Sequence, residues 1–127
     1  MSRFGDYIRR RRTHLREEGA DYSLRRVAGR VGVEPSYLSK VERGQTAPPS
    51  ETMTRMLAEE LDEDPDVLLA LAGKVSSDLQ AVIRKRPKLF AELIRQLKDL
   101  PDDAVLRIVR EARKTRSSSK GERPRKA

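Results

Sequence analysis

The 127 residues contain no cysteine, which excludes a disulfide framework, a thiolate metal site and a cysteine nucleophile. The opening MSRFGDYIRRRR lacks an apolar signal core, and no run approaches the length of a membrane span. A soluble, cytoplasmic protein with no membrane partner is expected. There is no Gly-x-x-x-x-Gly-Lys phosphate loop and no His-Glu-x-x-His zinc helix. The only histidine, His14, has no companions for metal ligation or a catalytic triad. Carboxylates cluster only in acidic turns such as Asp62-Glu63-Asp64, and no nucleophile has an adjacent base. No enzymatic activity, cofactor or metal is therefore expected.

What the chain has in excess is positive charge, +8 in total, unevenly spread. Residues 1–49 hold eleven Lys/Arg against six Asp/Glu, residues 50–112 ten against thirteen, and residues 113–127 seven against one. The sequence thus reads as a basic front, a mildly acidic middle and a basic tail. A basic front on an acidic body suits a polyanion touched by one face.

The front is organised around SLRRVAGRVGVEPSYLSKVERG, residues 23–44. Ser23 can cap a helix by accepting from a free backbone N–H. Leu24, Val27, Ala28 and Val31 recur at helical spacing and predict one buried stripe. Gly32 follows where a chain leaving a helix needs positive φ. Pro35 suits the first turn of a second helix and holds Glu34 extended. Leu38 and Val41 are that helix's buried residues, and Gly44 ends it. Helix, glycine-containing turn and helix together make a helix-turn-helix unit.

The run GVEPSYLSKVERGQTAPPS, with its Gly-x-x-x-Ser-Tyr-Leu-Ser-Lys-x-Glu-x-Gly segment and the Pro-Ser opening the next helix, resembles the heart of a Cro/CI-type (lambda-repressor-like, XRE) DNA-binding domain. The resemblance covers roughly residues 3–72 and, less distinctively, the helices beyond. It implies that an arginine of the first helix pairs with the glutamate near the end of the recognition helix, by position Arg12 with Glu42. It also implies that the loop Gln45-Thr46-Ala47 runs beside the DNA backbone.

Around this unit the pattern predicts a first helix over residues 3–18, with Phe4, Ile8 and Leu15 on one face and Tyr7 at its border. The link EEGADY is a few residues longer than the family's shortest versions. Arg25 and Arg26 at the start of the second helix oppose its dipole unless a phosphate lies there. Ser50 should cap a helix over 51–61, followed by a short apolar helix over 66–72 closed by Gly73. The extension carries three apolar stripes: Val75, Leu79, Val82 and Ile83; a helix over 89–100; and Val105, Leu106, Ile108, Val109 and Ala112. In the middle stripe Leu89, Phe90, Leu93, Ile94, Leu97 and Leu100 span about 140° at 100° per residue, wider than one neighbouring helix needs. About forty residues with three such faces cannot bury them alone. The extension also reads as nearly neutral, so self-association meets little repulsion.

The expected fold is all-α: a five-helix lambda-repressor-like DNA-binding domain over 1–73, an extension of about three helices over 74–112 that mediates dimerisation, and a disordered basic tail over 113–127. The expected function is a transcriptional regulator reading double-stranded DNA, a dimeric repressor on a palindromic operator. Glu34, Pro35, Ser36, Ser39 and Lys40 are placed at base edges in the major groove. Ser23, Arg25, Tyr37, Arg43, Gln45 and Thr46 are placed at the phosphate backbone. Leu89, Phe90, Leu93, Ile94, Leu97 and Leu100 are placed in a homodimer interface. The family resemblance leaves two competing roles for the extension, binding a toxin in an antitoxin-like protein or serving as the target of a dedicated metallopeptidase.

Overall fold

The computed structural model of the chain describes residues 3–122, and every regular element among them is helical. Helix α1, Arg3–Glu18, buries Phe4 and Ile8 one turn apart, keeps Leu15 half-buried, and leaves Arg9 and Arg10 exposed. The long link that follows is a 3-10 turn, Ala20–Tyr22, rather than a free loop. It is pinned by Arg12 Nη1 donating to the Tyr22 carbonyl at 3.2 Å and by the Arg30 guanidinium 5.3 Å above the Tyr22 ring.

Helix α2, Leu24–Val31, starts at Ser23, whose hydroxyl accepts from Arg26 N at 3.2 Å. It buries Val27, Ala28 and Val31, while Leu24 is half-buried. Gly32 has φ 81°, and the following Val33 N–H bonds the Ala28 carbonyl at 2.9 Å, closing the helix end as a left-handed residue allows. Helix α3, Pro35–Glu42, begins with proline in its first turn after an extended Glu34 and buries Leu38, Val41 and Glu42. Its end repeats the same closure at Gly44, with Gln45 N bonded to the Lys40 carbonyl at 2.8 Å.

Helix α4, Glu51–Glu60, is capped by Ser50 and buries Thr54, Leu57 and Ala58. Its turn into the next helix uses a non-glycine in the left-handed region, Asp62 at φ 56°, and Arg11 clamps that turn through the Leu61 and Asp62 carbonyls at 2.8 and 2.9 Å. Helix α5, Pro65–Leu71, starts one residue earlier than the pattern predicts, because Asp64 accepts from Asp66 N at 2.9 Å and leaves Pro65 free to open the helix. One core joins these five helices, from Phe4 and Ile8 through Val27, Val31, Leu38 and Val41 to Leu57, Leu61 and Leu68. Each large aliphatic side chain buried there contributes about 1.5–3 kcal/mol.

Helix α6 is Ser77–Lys85, α7 is Pro87–Leu97 and α8 is Asp102–Glu122. By contact the chain divides into two units, Met1–Ala81 and Val82–Ala127, so the boundary falls within α6 rather than at Gly73. The start of α6 is fastened within the first unit: buried Ser76 accepts from Leu79 N at 3.3 Å, and Ser77 Oγ donates to Glu51 at 2.9 Å. That hydroxyl bond is the main cause holding the Glu51 carboxyl below the ordinary carboxylate range. In the second unit no residue from 82 to 117 is buried.

Two sequence expectations are corrected here. The tail over 113–127 is not uniformly disordered, since α8 runs on to Glu122; residues 123–127 lie outside the described residues. No glycine or proline interrupts residues 102–120, Arg and Lys are good helix formers, and Asp102 and Asp103 suit the N-terminal dipole. Its polar composition resembles disorder only when read apart from the helix it continues. The helix expected over 89–100 ends at Leu97, so Leu100 lies in the turn, its N–H bonded to the Leu97 carbonyl at 3.1 Å.

Candidate nucleic-acid interface

Helix α3 is mounted from behind and open in front. Its back is held by apolar contacts of Leu38 and Val41 and by a buried ion pair. Arg12 Nε donates to Glu42 Oε2 at 2.7 Å and Arg12 Nη2 to Glu42 Oε1 at 2.9 Å, a bidentate fork with both side chains over nine-tenths buried. The structure therefore brings together the two residues that the family resemblance pairs. Gly5 adds a close approach that the sequence pattern missed. A Cβ there would stand 2.6 Å from the Glu42 carbonyl oxygen and nearer still to that of Val41, so α1 rests directly on the backbone at the end of α3. A lone glycine inside an amphipathic helix was the available signal.

The front of α3 presents Glu34, Ser36 and Lys40 exposed, with Pro35, Tyr37 and Ser39 half-buried. Tyr37 packs against the core as well, so only part of its ring faces outward. Glu34 makes no cap hydrogen bond with its side chain. Lys40 has no hydrogen bond or ion pair from its ammonium among the described residues. Ser36 is likewise uncommitted there, so both are available to base edges.

Flanking residues frame this surface. Arg25 is exposed with no side-chain partner among the described residues, and Arg43 reaches only the Ser39 carbonyl of its own helix, at 3.4 Å. Gln45 and Thr46 are exposed on the loop after α3. Ser23 spends its oxygen as an acceptor in the α2 cap, which leaves its hydroxyl proton able to donate to a phosphate. Arg26, by contrast, faces Asp21 at 3.4 Å, so its charge is partly offset.

The distribution of ion pairs sharpens the picture. Arg11, Arg12, Arg26, Arg30 and Arg55 each face a carboxylate. Arg25 at the start of α2, Lys40 on α3 and Arg43 at the end of α3 do not face one among the described residues. Arg9, Arg10 and Arg16 of α1 are also exposed without a partner there, as suits solvated charge. His14 lies on the surface, 3.4 Å from Glu18.

An α3 held from behind and exposed in front, following a tight turn from α2, has the arrangement of a helix-turn-helix unit. Residues 3–71, more than half of the chain, match the family described as helix-turn-helix domain. The chain belongs to that helix-turn-helix family and is a DNA-binding transcriptional regulator. Comparison with curated proteins gives no match. A solved chain from a SinR protein/SinI protein complex is similar over 91% of this chain and 98% of that one, at 24% identity and a TM-score of 0.46. Among the described residues, no helix is long and apolar enough to cross a membrane, and no group of His, Cys, Asp or Glu is arranged to hold a metal ion.

Proposed function

We propose that the chain is a dimeric repressor that reads a palindromic operator by laying α3 in the major groove. The observation carrying this reading is the uncommitted surface of α3 and its flanks: Ser36 and Lys40 in front, Arg25 and Arg43 at the sides. Lys40 suits guanine O6 and N7, Ser36 and Ser39 can serve either partner of a base pair, and Glu34 can accept from cytosine N4. Pro35, lacking a donor, offers apolar contact to a thymine methyl. Ser23, Arg25, Tyr37, Arg43, Gln45 and Thr46 fix register on the phosphates. A protein seated on a promoter in this way excludes others from the same DNA, which is repression.

Dimerisation is supported by the second unit's apolar surface. Leu89, Leu93, Ile94 and Leu100 are 40–69% exposed, and Leu93 and Leu97 share with Val105, Ile108 and Val109 an open groove of about 460 Å³. A second copy is the favoured occupant because two copies read two half-sites about 34 Å apart, and linkage multiplies their affinities. A toxin or metallopeptidase partner has no comparable observation in its favour.

Sites selected from a random duplex library by the full chain should emerge as palindromes. On the selected site Lys40→Ala should cost about 1–3 kcal/mol and relax preference at one base position per half-site. Equal weakening on every sequence would make Lys40 a phosphate contact instead.

A further inference from the structure

The structural boundary at residue 81 redistributes the charge. Met1–Ala81 holds thirteen Lys/Arg and fourteen Asp/Glu, a net of −1, whereas Val82–Ala127 holds fifteen against six, a net of +9. The unit that carries the recognition helix therefore has almost no electrostatic attraction of its own toward a polyanion, beyond the local cations beside α3. The positive excess belongs to the other unit.

Residues 113–127 carry +6 of that +9, and within residues 82–112 the cations without a partner among the described residues gather mainly at one corner. Arg84, Lys85, Arg86 and Lys88 crowd the corner where α6 gives way to α7, all exposed, and none has a side-chain hydrogen bond or ion pair among the described residues. Arg110, Arg113 and Arg116 on α8 are likewise exposed and unpaired there. By contrast Arg95, Arg107 and Lys114 face Glu92, Asp103 and Glu111 at 3.3, 3.6 and 3.8 Å. Helix stability does not account for the corner. Arg84 and Lys85 suit the C-terminal end of α6, but Arg86 and Lys88 sit at the start of α7, where a cation opposes the dipole. Solubility does not require it either, since a smaller net charge suffices for a domain of this size. For a self-associating unit the charge is a cost, because two copies repel.

We propose that the second unit is a sequence-independent DNA contact, in which Arg84, Lys85, Arg86 and Lys88 hold backbone phosphates of duplex DNA. Duplex DNA carries one negative charge per about 1.7 Å of axis, a density that rewards clustered, flexible cations without any base contact. The division of labour is then explicit: the first unit chooses the site and the second supplies attraction. This inference rests on the DNA-binding reading above and assigns residues that add to its salt dependence.

The test compares the full-length wild type with a variant carrying Arg84→Gln, Lys85→Gln, Arg86→Gln and Lys88→Gln, on a selected site and on random duplex, from 50 to 200 mM salt. Affinity for both duplexes should fall together, by about tenfold or more at 0.1 M salt, with their ratio unchanged. The slope of log K against log salt should become shallower by about 2–4, at roughly 0.9 per phosphate lost. A charge-keeping variant, Arg84→Lys with Arg86→Lys, should bind as the wild type does, which separates lost charge from lost structure. A four-site variant with wild-type affinity and slope overturns the proposal while leaving the recognition helix untouched. Loss of binding to anionic phosphatidylglycerol vesicles with DNA binding intact overturns it in favour of a lipid surface. A wild type that binds no duplex overturns the DNA-binding reading with it.

Discussion

The two units of this chain solve folding in different ways. The first buries twelve hydrophobic residues among those described and sets Arg11, Arg12, Arg26, Arg30 and Arg55 against carboxylates, at a net charge of −1. The second buries nothing between residues 82 and 117, exposes apolar faces on two helices, and carries +9. One is a finished domain; the other has its two main surfaces, apolar and cationic, still to be matched. The contrast teaches that a buried core with paired arginines and a surplus of unmatched charge can belong to different parts of one short chain.

The largest effect that would sharpen this contrast lies in the first unit. Arg12→Ala leaves Glu42 buried and uncompensated, and should destabilise the fold by about 3–5 kcal/mol. Replacing both partners together with apolar residues, Arg12→Met with Glu42→Leu, should recover much of that loss. Urea unfolding without DNA measures both, and a single mutant of wild-type stability but weaker DNA binding would make Arg12 a DNA contact.

Next in size is the pairing of the second unit. Phe90→Asp with Leu97→Asp should leave the first unit's unfolding unchanged yet produce a monomer by sedimentation, with palindrome affinity reduced about a hundredfold or more. A wild type that is already monomeric at micromolar concentration would break the comparison, since its apolar surface would need another partner.

Salt should then move the two surfaces in opposite directions. DNA binding weakens as salt rises, while self-association of two +9 units strengthens, roughly several-fold between 50 and 200 mM, as repulsion is screened. Parallel trends in both measurements would mean that the dimer interface itself contains ion pairs.

The smallest effect concerns Tyr7, whose hydroxyl donates to Glu63 and thereby ties α1 to the start of α5. This hydrogen bond raises the Tyr7 phenol above 10.0 and lowers the Glu63 carboxyl below its ordinary range. The lowered carboxyl makes its contribution above about pH 4.3 and loses it as pH falls through the depressed value. The raised phenol makes its contribution below about pH 10 and loses it as pH rises further. Tyr7→Phe should therefore cost up to about 1 kcal/mol near pH 7 and nothing at either extreme, read from urea midpoints across pH. A difference that does not shrink as acidification protonates the Glu63 carboxyl would assign the effect to packing.

Much of the first unit was legible because its signals are local. Ser23, Gly32, Pro35, Gly44 and Ser50 mark ends by their own backbone chemistry, and the helices they bound begin and end within a residue of the expected positions. What stayed hidden depends on contact across the fold. No local pattern announces that Arg30 meets Glu60, that Arg11 clamps the carbonyls of Leu61 and Asp62, or that Ser77 anchors to Glu51. The charge reading failed for a related reason. Divisions at residues 49 and 112 separated the recognition helices from the acids of α4 and α5 that fold with them. They also separated the end of α8 from its beginning, so the front looked basic and the extension nearly neutral. Only a boundary set by contact puts each charge with its neighbours.

The way α3 is seated bears on re-engineering. Gly5, Arg12 and Glu42, with Leu38 and Val41, form a mounting that touches the helix only from behind. Ser36 and Lys40 in front take no part in it. Reading head and socket are thus separate parts of one short helix. If α3 reads bases as proposed, a library that randomises its exposed positions while freezing the socket should change the DNA sequence bound without asking the domain to relearn how to fold.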